Sequence, residues 1–365
     1  MRINKKDYYL HMDETLGSRL RELPGPVLIT GHTGFKGSWL SLLFQHLSVP
    51  AIGLSLPPEK DSIYSRARRK GKITEAFIDI RDPKSLLQFM TTHRPSAVIH
   101  MAAQPLVLES YKIPRETFEI NVMGTVNVLE ASFSTDSVEA VVVVTTDKVY
   151  KNNNSGISFS ESDSLAGNDP YSASKVGTES VVAAWRQISK VSGGPKVISV
   201  RAGNVLGGGD LAENRIIPEL IRGFSSQKMV SIRNPLSTRP WQHVLDPLRG
   251  YVMALEATLH GIPIDSLNFG PSSPSLTVQE VVKVSCENWP FPTSVEFLNI
   301  SSENHRESIS LEIDSQNARK VLGWSSRWGQ EESVIATIQW WDKVLNKSVS
   351  PADACSFDIE FLLSK

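Results

Sequence analysis

The sequence predicts an α/β protein, a doubly wound parallel sheet followed by a smaller mixed α/β C-terminal lobe, and three observations predict it. Short apolar runs alternate with helical patterns from residue 25 to residue 200; the runs are continuously apolar rather than alternating; and the first empties into a glycine-rich turn. Continuous apolarity means that both faces of a strand are covered, as happens when helices join parallel strands and lie on either side of the sheet. The runs are Val27–Thr30, Ala51–Leu56, Ala76–Ile80, Ala97–Ala102, Val138–Thr145 and Val197–Ala202. Between them Trp39, Leu40, Leu43 and Leu47, and later Val122, Val126 and Leu129, recur at helical spacing and form core stripes.

The first strand leads into Gly31-His32-Thr33-Gly34-Phe35-Lys36-Gly37, with glycines at G-x-x-G-x-x-G spacing, and then into a helix beginning Ser38-Trp39-Leu40. A tight turn needs a residue that tolerates positive φ, a diphosphate needs the backbone to come close, and a helix N-terminus offers unpaired N–H groups to negative charge. Gly31, Gly34 and Gly37 meet these needs, so the loop reads as a dinucleotide grip. His32 and Lys36 lie inside it, in reach of cofactor phosphates, with a plain turn role equally open for His32. The second run ends without an acid to hold a ribose 2′-hydroxyl, and Arg66, Arg68 and Arg69 follow, which by themselves tilt the reading toward NADP. Asp79, after the third run, is placed to reach an adenine amine or to cap the turn at Arg81-Asp82-Pro83.

The valines Val141–Val144 deliver Thr145-Thr146-Asp147-Lys148-Val149-Tyr150 to the carboxyl end of a central strand, where open α/β sheets bind ligands. A hydroxyl, a carboxylate and an amine there can polarise a substrate oxygen and move protons, or simply end a strand with a solvated ion pair. Farther on, Tyr171-Ser172-Ala173-Ser174-Lys175 sets a phenol and an ammonium four residues apart, on one face of a helix. An ammonium beside a phenol favours the phenolate, a base able to take a proton from a substrate hydroxyl. On its own this is ordinary helical spacing; with the glycine loop it marks two sides of one cleft.

After residue 200 the pattern breaks into glycine and proline clusters, Gly207-Gly208-Gly209, Pro235, Pro240 and Pro271. The expected division is a dinucleotide-binding domain over 25–200 that also receives parts of 241–270, and a ligand lobe over 201–345. Residues 1–24, with Leu16, Leu20 and Leu23 at helical spacing, read as an N-terminal extension and 346–365 as a C-terminal tail. The 365 residues are 40% hydrophobic, and 38 basic against 39 acidic residues leave a net charge of -1, which points to neither nucleic acid nor a membrane surface. Cys286 and Cys355 form no C-x-x-C or Cys/His cluster, arguing against a metal site or a disulfide framework. No apolar run approaches the roughly 20 residues of a membrane helix, and the first residues lack the apolar core of a signal peptide, so a cytoplasmic protein is expected.

Together these motifs resemble the nucleotide-sugar 4,6-dehydratases of the extended short-chain dehydrogenase/reductase superfamily, over residues 25 to 345. Gly31–Leu40, Ala102-Ala103-Gln104-Pro105-Leu106-Val107, Asn121-Val122-Met123-Gly124-Thr125, Arg201-Ala202-Gly203-Asn204-Val205 and Arg239-Pro240-Trp241-Gln242-His243-Val244 resemble the branch of that family acting on CDP-glucose. So does Lys148, where other 4,6-dehydratases carry glutamate. The resemblance implies a Rossmann-type fold, NAD as cofactor, CDP-glucose as substrate, and a homodimer paired through the helices near 121–133 and after Tyr171. It implies that Gly31, His32, Gly34, Phe35, Lys36, Gly37, Asp79, Ile80, Ala102, Ala103, Tyr171 and Lys175 line the cofactor, and that Gln104, Asn204, Arg215 and Arg239 line the nucleotide sugar.

As mechanism, it implies that Tyr171 accepts the O4 proton with help from Thr146 and Lys175, and that Asp147 protonates the departing C6 hydroxyl. Lys148 is left with two roles, base at C5 or support of Asp147, because a lysine is a base near neutrality only where burial or nearby cations lower its pKa. A nucleotide-sugar epimerase, or a dehydratase for another sugar, would share Tyr171 and Lys175, but an epimerase does not need the Asp147–Lys148 pair. A non-catalytic dinucleotide binder, the third reading, commonly lacks the tyrosine or the lysine. His11, His46, His93 and His100 form no ligand set, and His243 reads as structural.

Overall fold

Seven strands form the central sheet of the computed structural model, which describes residues 16–152, 156–271, 275–298 and 311–364. They are β1 (Val27–Thr30), β2 (Ala51–Ser55), β3 (Thr74–Phe77), β4 (Ala97–His100), β5 (Ala140–Val144), β6 (Lys196–Ala202) and β7 (Ser266–Phe269). Their order is β7-β6-β5-β4-β1-β2-β3 and every pairing is parallel. Successive side chains point to opposite faces, so one strand feeds two cores. From β5, Ala140, Val142 and Val144 join the core beneath α1 (Phe35–His46) and the later helices, while Val141 and Val143 pack with Leu86, Met90 and Val128. The latter come from α2 (Pro83–His93) and α3 (Gly124–Phe133). Each such fully buried aliphatic side chain is worth about 1.5–3 kcal/mol.

Two strands differ from the apolar runs. β3 begins before its run, and Ile80 leaves the strand to pack on Gly124, where a Cβ would approach its Cδ1 too closely. β7 has no apolar run because its third residue, Asn268, is a buried polar group that bonds Tyr150 from inside the sheet.

The helix of the phenol and the ammonium is α4 (Pro170–Ser192), started by Pro170 and a reciprocal cap between Asp169 and Ser172. Beyond β6 come α5 (Ile216–Ser226), α6 (Leu245–Leu259) and α7 (Gln330–Asn346), with short strand pairs Val205–Leu206 with Gln242–His243, Thr238–Arg239 with Leu276–Thr277, and Val230–Ile232 with Val295–Phe297. His243 stacks on Trp328 and meets Trp39 edge-on, wholly buried.

Residues 16–23 and 351–362 contribute side chains to the main core. Residues 1–15 lie outside the described residues, but Leu16, Leu20 and Leu23 are buried in the main core around a single helical turn at Ser18–Arg21. The last residues form α8 (Pro351–Ser364), which buries Ala354, Cys355, Ile359 and Leu362 against that same core. Both cysteines are free thiols. Among the described residues no helix is long and apolar enough to cross a membrane, and no group of three or more His, Cys, Asp and Glu could hold a metal ion.

Candidate active site

The strand order reverses between β1 and β4, the point at which open α/β sheets bind ligands at the carboxyl ends of their strands. The three loop glycines there do different work. Gly31 has φ +76°, and a Cβ on it would lie 2.8 Å from the Ala102 nitrogen. A Cβ on Gly37 would overlap the Gly31 carbonyl oxygen, so α1 could not pack on the turn. Gly34 is exposed, begins α1 without a side-chain cap, and would bring a Cβ near the Gly31 oxygen alone, at 3.3 Å. The first helical turn therefore offers its N–H groups to an anion, and these residues fit a dinucleotide diphosphate. Thr30 Oγ1 accepts from Ala102 N (3.2 Å) and bonds His100 Nδ1 (2.7 Å), while His100 Nε2 bonds Thr125, which ties the β4 loop to the glycine turn. Burial lowers the His100 pKa to about 3.

On the other side of the cleft, β5 runs into one turn of 3-10 helix, Asp147–Val149. Thr146 caps it, accepting from Lys148 N (3.4 Å) while donating to Asp147 Oδ1 (3.1 Å). Lys148 Nζ lies 3.5 Å from the same Oδ1 and donates to Asn204 Oδ1 (3.2 Å). Asp147 is fully buried, and its Oδ2 has no hydrogen-bond partner among the described residues. It faces Gly203, where any Cβ would come within 3.1 Å of it. Tyr171, in the first turn of α4, bonds Thr146; burial pushes its phenol up to about 12, and Thr146 and then Arg215 pull it down. Lys175, one turn on, donates to the Val144 carbonyl (3.2 Å), and burial lowers it to about 8 against the pull of Glu179. Lys175 is thus not what lowers the phenol, contrary to the expectation from spacing: its ammonium turns to the strand.

Four more of the expected contact residues have partners of their own within the protein. The His32 imidazole turns away from the loop surface to Glu75 (Nε2 to Oε2, 2.9 Å) and stacks over Phe77, seated where a Cβ on Gly53 would touch it. Lys36 reaches across to α6 and donates to Tyr251 Oη (3.2 Å); burial and then Arg215 lower its pKa to about 7. Gln104 is bonded internally, accepting from Leu106 N and donating to Thr117 Oγ1 (3.0 Å), and so shapes the loop after β4. Asp79 is clamped by Arg81 through Nε and NH2, and the cap of α2 is Asp82.

Of the remaining residues, Ile80 is buried and Phe35, Ala102 and Ala103 are half-buried along the cleft. Arg215 donates to Asp210 Oδ2 (2.9 Å) and the buried Arg239 to the Thr238 carbonyl (2.7 Å). Lys148, Lys175 and Arg215 all lie within electrostatic reach of Lys36, as does Asp147, which gathers four basic side chains at the cleft of a nearly neutral protein. Of the arginines after β2, Arg69 is buried against Ser41 and Gln45, and Arg66 bonds the Asp61 carbonyl. The end of β2 presents Ser55, bonded to Thr33 (2.7 Å).

Other residues build the site without having stood out as chemistry. Asn121, in a π-helical turn at Glu119–Met123, accepts from Gln104 N (2.8 Å) and donates to Ser174 Oγ (2.9 Å), joining the β4 loop to α4. Ser110 Oγ accepts from Tyr171 N (3.1 Å). An asparagine leading the Asn121–Thr125 segment was the available signal for the first; nothing local marks the second.

A model of the NAD dependent epimerase/dehydratase family matches residues 27–270. The CDP-glucose 4,6-dehydratase of Salmonella typhimurium is 40% identical over 324 residues, covering 86% of this chain and 89% of that protein. The UDP-glucose 4-epimerase of Halalkalibacterium halodurans is 27% identical over 334 residues, covering 87% and 95%. Among solved structures, MoeE5 in complex with UDP-glucuronic acid and NAD superposes with a TM-score of 0.75 at 25% identity, over 89% of this chain and 100% of that one.

Proposed function

The chain belongs to the NAD dependent epimerase/dehydratase family, and from that membership we propose that it dehydrates CDP-glucose to CDP-4-dehydro-6-deoxyglucose with NAD as its cofactor. The observation that carries this reading is Asp147: a buried carboxyl with one oxygen held by Thr146 and Lys148 and the other left without a partner, in a cleft shared with Tyr171. An epimerase has no use for such an acid.

NAD+, when bound, supplies the hydride acceptor for C4 and returns the hydride to C6. The proton work falls to the side chains. Tyr171, once its phenol has lost its proton, takes the O4 proton, and Thr146 holds the phenol oxygen in line. The new ketone acidifies C5, and Asp147 Oδ2 protonates the C6 hydroxyl so that it leaves as water. The Asn204 bond and the shared Oδ1 set Lys148 beside Asp147, so that Lys148, in its neutral form, is the group placed to take the C5 proton while Asp147 gives its own proton to the departing hydroxyl. Arg215 and Arg239 supply fixed charge for the substrate diphosphate, as guanidinium groups do elsewhere. The cofactor is NAD, as in the family, and of the arginines after β2 Arg69 is withdrawn into the core against Ser41 and Gln45, away from a 2′-phosphate.

We further take the enzyme to be a cytoplasmic homodimer. Two unpaired thiols suit a reducing compartment, and the helical stretch through Phe118 and Met123 packs on α4, which leaves those two and Ile188 exposed. The decisive experiment incubates the protein and NAD+ with CDP-, dTDP-, GDP- and UDP-linked glucose and follows mass. Loss of one water from CDP-glucose alone is expected. Water loss from a different sugar would change the substrate, and isomerisation at constant mass would make the enzyme an epimerase.

A further inference from the structure

Beneath the reacting groups runs a buried polar chain that the chemistry does not use. Glu179, one helical turn past Lys175 on α4, accepts four hydrogen bonds on its carboxylate: Thr145 Oγ1 (2.6 Å) and Arg201 Nε (2.8 Å) at Oε1, Ser199 Oγ (2.8 Å) and Arg201 NH2 (2.9 Å) at Oε2. Arg201 NH1 donates to Tyr150 Oη (2.8 Å), Tyr150 Oη donates to Asn268 Oδ1 (2.7 Å) on β7, and Asn268 Nδ2 donates to the carbonyls of Phe159 and Asp314. Tyr150 is further fixed by the ring of Phe159, stacked at 5.1 Å.

From this arrangement we infer that the Glu179–Arg201 ion pair positions the active site, clamping Thr145 at one end and Tyr150 at the other end of the loop that carries Thr146, Asp147 and Lys148. The inference rests on the proposed roles of those three residues. A carboxylate with four donors has no capacity left for reaction, and a buried ion pair is weak evidence of added stability, since apolar residues of similar volume often do as well. What a planar guanidinium on a carboxylate supplies is direction. Here one face of the pair takes the hydroxyl that precedes Thr146 and the other takes the hydroxyl two residues past Lys148. Lys175 takes the Val144 carbonyl at the same place, so the end of β5 is tied to α4 at two successive residues. A loop so short, held at both ends, cannot shift Asp147 without breaking one of these bonds, and a displacement of about 1 Å at a reacting group lowers rates on the order of a hundredfold.

The pair also bears on the charge of Lys175. The titratable groups coupled to that ammonium are Glu179 on its own helix, His100 on β4 and Lys36 at the start of α1, and of these Glu179 favours the charged form.

The test begins with wild-type dehydration of CDP-glucose. If the wild type removes water from no nucleotide sugar, the functional reading falls and the inference falls with it. With an active wild type, Glu179→Gln is expected to lower kcat at least about tenfold with KM changed less than about threefold, the pattern of misplacement rather than lost binding. Its alkaline limb of kcat is expected to move to lower pH, because Lys175, whose ammonium ties the Val144 carbonyl at the end of β5 to α4, loses the carboxylate that favours its charge. Glu179→Gln/Arg201→Met, which exchanges the pair for a neutral one, covers the case in which the single variant does not fold, and should show the same loss of kcat. Tyr150→Phe removes one hydroxyl from the far clamp and should lower kcat by a factor of about three to ten. Folded variants with wild-type kcat and an unmoved alkaline limb would reduce the pair to a structural element.

Discussion

Asp147 and Glu179 lie on either side of the end of β5, both buried, and they are held in opposite ways. Glu179 receives four donors, two of them from a guanidinium, and its pKa lies below the ordinary value because Arg201, Thr145 and Ser199 outweigh the burial that would raise it. Asp147 has one oxygen shared between a hydroxyl and an ammonium and one oxygen with no partner among the described residues. Leaving a buried acceptor unsatisfied costs about 1–3 kcal/mol, so the fold has kept Asp147 at a loss while saturating its neighbour. The difference separates architecture from chemistry: the saturated carboxylate can hold a loop but cannot exchange a proton, and the half-satisfied one can do both.

The sharpest way to break that comparison starts from the phenol that shares the cleft. Tyr171→Phe removes the O4 base and is expected to lower turnover by at least about a thousandfold while cofactor affinity, measured by fluorescence titration, is kept. Substantial residual turnover would take Tyr171 out of the base role. Asp147→Asn should do less and do it later in the reaction: roughly 10²- to 10³-fold slower water loss, with C4 oxidation still visible as reduced nicotinamide on mixing with CDP-glucose. Normal elimination in this variant would put the acid elsewhere.

The saturated carboxylate predicts the reverse pattern. Arg201→Met alone strands Glu179 without its partner and is expected to destabilise by about 3–5 kcal/mol, whereas Glu179→Gln/Arg201→Met should recover most of that loss, because a neutral pair leaves no buried charge behind. Denaturant midpoints of the wild type, the two single variants and the double variant measure the coupling directly. If the double variant is as unstable as the single one, the pair supports the fold through packing and not through its charge.

How much of this was readable before the structure depended on whether a residue's job is done by its backbone or by its side chain. Gly31 and Gly37 are required by φ and by close approach, which are local, so their pattern announces the turn at once. Thr146, Asp147, Tyr171 and Lys175 were legible as a group because strand ends and helix faces follow from spacing. The direction of a long side chain does not. His32 and Lys36 sit in the same loop as the glycines, yet one turns to Glu75 and the other to Tyr251, residues supplied by β3 and α6. That Gln104 braces its loop through Leu106 and Thr117 is likewise not visible from its place in the sequence. β7 stayed hidden because the buried Asn268 breaks its apolar run, and Glu179 because an acid four residues past a lysine looks like any solvent-facing helical pair.

The smallest effect lies far from the cleft, at a third buried carboxyl held in yet another way. Glu256 on α6 accepts from Gly17 N (3.2 Å) and Arg19 N (3.0 Å), pinning the turn at Ser18–Arg21 to the core, and burial raises its pKa to about 7 from an ordinary 4.5 because those N–H donors do not outweigh desolvation. Among the described residues no guanidinium bonds it and Arg21 acts on it only from a distance, so it stands opposite to Glu179. The sign of its linkage follows: the folded state binds the proton more tightly than the unfolded chain, so the contribution is full below the unfolded value and is lost as pH rises through the folded one. Glu256→Gln is neutral throughout and keeps one acceptor for the turn. Between about pH 5 and pH 8 the wild type should therefore lose up to about 3 kcal/mol relative to this variant, read as Tm differences across the range. A difference that stays flat would mean that Glu256 ionises in the folded protein as it does in water, with the turn at Ser18–Arg21 open enough to let solvent reach it.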